Sequence, residues 1–76
     1  MEINKRAERD ELLAATVERI VFSRTGGRIT ELRVDVTEGR IVLMGRAATY
    51  YTKQLATQAA LDAADFCELS NEIDVC

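Results

Sequence analysis

The sequence has no histidine, no tryptophan and only two cysteines among its 76 residues. Histidine is the commonest general base and the commonest metal ligand, so its absence removes most catalytic and metal-binding schemes. Cys67 has no candidate base beside it, and the carboxylates are dispersed among core positions instead of forming an acid–base pair. We therefore expect a protein that is not an enzyme and that holds no metal and no cofactor.

Two cysteines are too few for a disulfide framework. Cys67 and Cys76 flank a predicted strand, whose nine residues would extend over roughly 30 Å, whereas a disulfide needs Cα atoms within about 7 Å of each other. The two thiols are therefore not expected to pair with each other. Free thiols in a reducing compartment are the favoured interpretation, and an intermolecular bridge through Cys76 in an oxidising compartment is the alternative.

Long hydrophobic runs and an excess of positive charge are also missing. No run approaches the roughly 20 apolar residues that cross a bilayer, and the charged N-terminus does not resemble a secretory signal. The net charge of −3 and the pI near 4.9 disfavour nucleic-acid binding. We expect a cytoplasmic protein if this chain is complete, and an envelope-associated one if it is a module of a larger protein.

Hydrophobic periodicity divides the chain into five elements. Leu13, Val17 and Val21 recur at helical spacing, whereas residues 29–45 alternate with the period of two typical of half-buried strands. Helical spacing returns after Thr49, which is a suitable N-cap. The predicted elements are a helix at about 5–22, strands at about 29–37 and 40–45, a helix at about 49–64 and a strand at about 68–75.

Glu38 and Gly39 form the expected two-residue loop of a hairpin, since glycine supplies the positive φ that such a loop needs. A one-residue slip would turn the apolar set of one strand over, so this loop determines the pairing. The predicted register pairs Thr37 with Arg40, Val36 with Ile41, Asp35 with Val42, Val34 with Leu43, Arg33 with Met44, Leu32 with Gly45 and Glu31 with Arg46. Gly45 is expected to make room opposite Leu32 and to let the chain turn into the second helix.

The second helix carries an apolar stripe that is mostly alanine, so we expect it to lie close against the sheet. The stripe consists of Leu55, Ala56, Ala59, Ala63 and Phe66, with Ala48, Tyr51 and Thr52 at its borders. In the last strand Asn71 falls on the apolar side, and its amide should bond neighbouring backbone or lie near an edge of the sheet. Two helices on one face of a three-stranded sheet, in the order α-β-β-α-β, predict a two-layer α+β domain.

The segment "EGRIVLMGRAATYYTKQLATQAA", followed by "LSNEIDV", resembles the bacterial BON domain family. Gly39, Val42, Leu43 and Gly45 match the hairpin of that family. Lys53, Ala56, Ala59 and Ala60 match its helix, and Asn71, Ile73 and Val75 match its last strand. The resemblance covers about residues 12–75 and implies a non-catalytic module that attaches to phospholipid surfaces or to envelope proteins. This chain has one copy where that family often has two, and Leu69 stands where valine is usual.

Two surfaces are candidates for interaction. The predicted register places Val42 and Met44 on the sheet face away from the helices, among Arg33, Arg40 and Arg46, and an uncovered face of this kind suits docking. Tyr50 and Lys53 lie one helical turn apart, and with Arg46 they could contact an anionic headgroup or a protein. A merely solvated surface is the alternative for the tyrosine and the lysine.

We therefore expect a binding module for an anionic phospholipid surface or an envelope-associated protein. The alternative is a structural domain that forms a homodimer through the outer face of its sheet.

Overall fold

A computed structural model describes residues 5–64 and 67–76, and within them an α+β fold with two helices and a mixed four-stranded sheet. The elements are α1 (Lys5–Arg24), β1 (Ile29–Thr37), β2 (Arg40–Ala47), α2 (Tyr50–Ala63), β3 (Glu68–Asn71) and β4 (Asp74–Val75). The predicted fold class and element order are confirmed, but the sheet has four strands instead of three. The strand β2 is central: β1 pairs with it antiparallel, and β3 and β4 pair with its other edge in parallel.

Helix α1 forms where the apolar spacing predicts it and ends two residues later than expected. Val17 and Val21 are fully buried, and a Schellman motif stops the helix. In that motif the amide of Gly27 donates to the Phe22 carbonyl at 3.0 Å, and the amide of Gly26 donates to the Ser23 carbonyl at 3.2 Å. The helix therefore ends at residues 25–27.

The hairpin follows the predicted register near its loop. The five pairs from Thr37 with Arg40 to Arg33 with Met44 are present as expected. Glu38 and Gly39 have φ values of 50° and 79°, the two positive values that a type I′ turn requires. The alternation of buried and exposed residues across these pairs is thus determined by the turn.

Farther from the loop the predicted pairs of Leu32 with Gly45 and of Glu31 with Arg46 are wrong. Thr30 pairs with Arg46 instead, so Glu31 and Leu32 together oppose the single residue Gly45. This is a β-bulge, and Glu31 has a φ of 56°, the left-handed conformation that glycine takes in a G1 bulge. The bulge changes the phase of the strand and lets both Ile29 and Leu32 turn toward the helices.

Gly45 does make room, but it does not begin the turn into α2, because β2 continues to Ala47. Its φ is 146°, and a Cβ there would lie 2.8 Å from Ile29 Cγ2, 3.0 Å from the Thr30 carbonyl oxygen and 3.3 Å from Leu32 Cα. Only glycine tolerates both the backbone angle and the close approach of these atoms. The space is therefore filled by the bulged strand.

Helix α2 begins after Thr49, whose hydroxyl accepts a hydrogen bond from the Thr52 amide at 3.2 Å, as the N-cap prediction requires. The buried side chains of this helix are Thr52, Ala56, Ala59 and Ala60. The expectation that Tyr51 borders the core is wrong, since Tyr51 is 66% exposed. Successive residues of a helix point about 100° apart, so the neighbouring residue Thr52, and not Tyr51, faces the core and begins the buried stripe. Phe66, predicted in this stripe, lies outside the described residues.

The predicted last strand is divided into β3 and β4 because Asn71 bonds locally. The Asn71 Oδ1 accepts a hydrogen bond from the Ile73 amide at 3.0 Å, while its Nδ2 donates to the Lys53 carbonyl at 2.9 Å and to Thr57 Oγ1 at 2.7 Å. The expected partner of the Asn71 amide is thus confirmed, and it ties the end of β3 to α2. The Glu72 amide still donates to the Leu43 carbonyl at 2.8 Å, so β3 and β4 continue along one line beside β2.

The core lies between the sheet and both helices. One cluster of buried side chains contains Val17 and Val21 of α1, Ala56, Ala59 and Ala60 of α2, and Val36, Ile41, Leu43, Ala47 and Ile73 of the sheet. Because both helices contribute to the same cluster, they cover the same face of the sheet. The opposite face of the sheet is called the outer face below.

Replacing Glu31 with glycine should stabilise the domain by about 1 kcal/mol, because a residue with a side chain is strained in the left-handed region by roughly 1–2 kcal/mol. Urea unfolding followed by circular dichroism measures this change. The matched control is Arg33→Gly, at an exposed position of the same strand without positive φ, and it should destabilise the domain. A loss of stability in Glu31→Gly equal to that in the control would contradict the bulge geometry.

Candidate functional site

The candidate site is the outer face, which alternation along the central strand creates. In β2 the side chains of Ile41, Leu43 and Ala47 are buried against the helices. The residues between them, which include Val42 and Met44, therefore point to the outer face. The structure brings five of the seven predicted interaction residues to this face: Arg33, Arg40, Val42, Met44 and Arg46.

Val42 and Met44 form the apolar centre of the outer face. Both are half-buried, yet neither belongs to the core cluster or to the side chains that pack against it. Their shielding therefore comes from the neighbouring strands, where Asp35 is opposite Val42 and Arg33 is opposite Met44. A valine and a flexible methionine at the middle of an uncovered sheet can adapt to an apolar partner surface.

The arginines of the outer face each lie near a carboxylate. The Arg40 guanidinium is 3.5 Å from the Glu68 carboxylate, and the register places Asp74 directly beside Arg46. Arg33 precedes Asp35 by two residues, so their side chains share a face of the strand. Among the described residues, the one ion pair of these arginines, between the exposed side chains of Arg40 and Glu68, contributes only about 0–1 kcal/mol to stability. The charges are thus free to be re-paired by a docking partner at small cost.

Tyr50 and Lys53, which were predicted to lie near Arg46, belong to a different element of the fold. Both lie on α2, in the helix layer that covers the inner face, whereas Arg46 points to the outer face. Tyr50 is 63% exposed, and its hydroxyl accepts a hydrogen bond from Gln54 Nε2 at 2.6 Å. Lys53 is half-buried, and its carbonyl accepts from Asn71. Of the two, only Tyr50 is an exposed side chain of α2.

The structure also contains a groove that was not predicted from the sequence. A groove of about 490 Å³ runs between α1 and β1. Its lining consists of Asp10, Glu11, Ala14, Ala15 and Glu18 of α1 with Val34, Asp35, Val36 and Thr37 of β1. The adjacent pair Ala14–Ala15 is the signal for it, because two small side chains on a helix that packs beside an edge strand leave space between them.

The potential metal ligands and the thiols of the described residues are dispersed. Within residues 5–64 and 67–76 no group of three or more potential metal-ligating side chains is clustered. Cys67 is buried and Cys76 is exposed, and the two are not joined to each other. Neither of the two helices in these ranges is long and apolar enough to span a bilayer.

Comparison with known proteins adds no family assignment. No protein-family model matches the chain, and no curated protein shows significant similarity to it. The resemblance to BON domains, and the binding role that it implies, therefore stay predictions.

Two adjacent residues of β2 test the assignment of faces. Met44→Gln should cost less than about 1 kcal/mol of unfolding free energy, because its polar end can reach water from the outer face. Leu43→Gln should cost about 3 kcal/mol or more, because it buries an amide among apolar side chains. Chemical denaturation of both variants measures the difference. Equal losses would show that the two sides of β2 are not distinct.

Proposed function

We propose that this domain is a non-catalytic binding module that contacts a protein surface through the outer face. The observation that carries the proposal is the uncovered apolar centre of Val42 and Met44, framed by charges of both signs. Protein interfaces combine an apolar centre with a polar rim, and methionine and arginine are enriched in them. The absence of histidine and of a clustered metal-ligand group within the described ranges supports a role without catalysis.

The charge balance of the outer face favours a protein over an anionic lipid surface. Three arginines share this face with exposed acidic residues, namely Asp35, Glu68, Glu72 and Asp74. Binding to anionic membranes gains about 1 kcal/mol for each basic residue near the surface, and interspersed carboxylates cancel that gain. A folded partner with its own acids and bases can instead match both signs. The phospholipid role implied by the BON resemblance is therefore the less supported version.

A second copy of this chain is the second candidate partner, favoured by the same mixture of charges. Because arginines and carboxylates occur together, one copy can present acids to the arginines of another. Two-fold dimers place the same patch on both sides of the interface, which requires such self-complementarity. Sedimentation velocity tests this candidate. A sedimentation coefficient that rises with concentration indicates a dimer, and a constant monomer value indicates that the partner is a different protein.

Site-specific photo-cross-linking in cells that express the protein tests the proposal. A cross-linking amino acid at position 44 should give a discrete protein adduct, whereas one at position 51, which is 66% exposed on α2, should give none. Unlabelled wild-type protein should compete the adduct away. Equal adducts from both positions, or none from position 44, would contradict a protein contact at the outer face.

Titration with lipid vesicles distinguishes a phospholipid partner from a protein partner at the outer face. Amide resonances should not move at the outer face when phosphatidylglycerol vesicles are added at low salt, because its basic residues are balanced by carboxylates. Phosphatidylcholine vesicles provide the uncharged control. Shifts around Arg33, Arg40 and Arg46 with the anionic vesicles alone would overturn the choice of a protein partner.

A further inference from the structure

The outer edge of β1 is open to another strand. Among the described residues β2 is the only strand that pairs with β1, so one edge of β1 has no strand beside it. In the hairpin turn the carbonyl of Thr37 accepts from the amide of Arg40, which makes these two a hydrogen-bonded pair. Bonded and non-bonded pairs alternate in antiparallel strands. The backbone N–H and C=O groups of Val36 and Val34 therefore point away from β2, toward the open edge.

Helix α1 forms the second wall beside this open edge. The groove described above is bounded by residues 10–18 of α1 and residues 34–37 of β1. Nine helical residues rise about 13 Å, and four strand residues extend about 13 Å. The two walls thus match in length and would hold about four residues of an extended chain. The small side chains of Ala14 and Ala15 leave the space that such a chain needs.

The charge of the groove selects its occupant. Asp10, Glu11 and Glu18 line its α1 wall, and none of its lining residues is a lysine or an arginine. Asp35 contributes backbone to the β1 wall, because its side chain points to the outer face. An extended segment would gain backbone hydrogen bonds from the open edge of β1 and charge pairing from the carboxylates of α1. The charged residues of β1 are Glu31, Arg33 and Asp35, so a second copy of this strand would bring net negative charge to these carboxylates. An anionic lipid is disfavoured for the same reason.

We propose that the groove between α1 and β1 binds an extended, lysine- or arginine-containing peptide segment of a partner protein by adding it as a strand to the edge of β1. The carboxylates then recognise alternate basic side chains of the segment, and the backbone N–H and C=O groups of Val34 and Val36 that face the open edge hold its backbone. This site is separate from the outer face, so either can exist without the other.

Titration with a capped hexapeptide that alternates lysine and valine tests the site. Amide resonances of residues 34–37 and 14–18 should shift saturably, and the amides of Val34 and Val36 should become protected from hydrogen exchange. The affinity should fall as salt is added. A hexapeptide that alternates glutamate and valine is the control, and it should not bind. Equal binding of both peptides, or shifts confined to other residues, would overturn the proposal.

The peptide affinities of variants with substitutions inside and outside the groove test whether the peptide binds there. Glu11→Gln and Glu18→Gln should each weaken binding about threefold, within the range that exposed ion pairs give, while Glu8→Gln on the same helix is the matched control outside the groove. Ala15→Arg should abolish binding, because the long side chain fills the groove while arginine keeps the helical propensity of the position. Leu12→Arg places the same side chain at an exposed position outside the groove and should not change the affinity.

The two proposed surfaces are distinguished by Met44→Gln, which should not change the affinity for the lysine–valine peptide. Two results would contradict the groove as the binding site. One is an Ala15→Arg variant that binds the peptide with unchanged affinity, and the other is a Leu12→Arg variant whose affinity falls as much as that of Ala15→Arg. If the wild-type domain self-associates and Ala15→Arg abolishes that self-association, the peptide proposal is also contradicted, because a second copy of the chain then occupies the groove.

Discussion

The contact between the bulged strand β1 and the backbone of Gly45 is the constraint on which the rest of the structure depends. Ile29 Cγ2 would be 2.8 Å from any Cβ at position 45, and the φ of 146° there already excludes an ordinary side chain. The bulge at Glu31 brings Ile29 to this position by changing the phase of β1. The core thereby extends over the far end of β2, where Ala47 is also buried.

The strand pairing, which the Glu38–Gly39 turn sets near the loop and the bulge sets farther from it, determines both candidate surfaces. With the register fixed, Val42 and Met44 must lie on the outer face, and the carboxylates of β3 and β4 must lie beside Arg40 and Arg46. The other edge of β1 is left unpaired next to α1, which produces the acidic groove. Two different surfaces of so small a domain thus follow from one strand arrangement, and each offers a different chemistry to a partner.

Local patterns were enough to predict the element order, the two-residue hairpin loop at Glu38 and Gly39, the Thr49 cap and the bonding of Asn71. These features depend on a few neighbouring residues, whose preferences are strong. The bulge was missed because the strict period of two was continued past Arg33. The spacing of three between Ile29 and Leu32, both apolar, was the available signal. The exposure of Tyr51 and the groove beside Ala15 depend on how α1 and α2 pack, which periodicity alone does not specify.

A double-mutant cycle between Gly45→Ala and Ile29→Leu tests this central constraint most directly, since leucine removes the branched Cγ2 and keeps the volume of the side chain. The account predicts that Gly45→Ala lowers the unfolding free energy by about 2 kcal/mol or more, through strain at positive φ and overpacking. It also predicts that the loss is smaller when Ile29 is leucine, with a coupling of at least about 0.5 kcal/mol. An alanine at position 45 that costs nothing, or a cycle with no coupling, would contradict the close contact of Ile29 with Gly45.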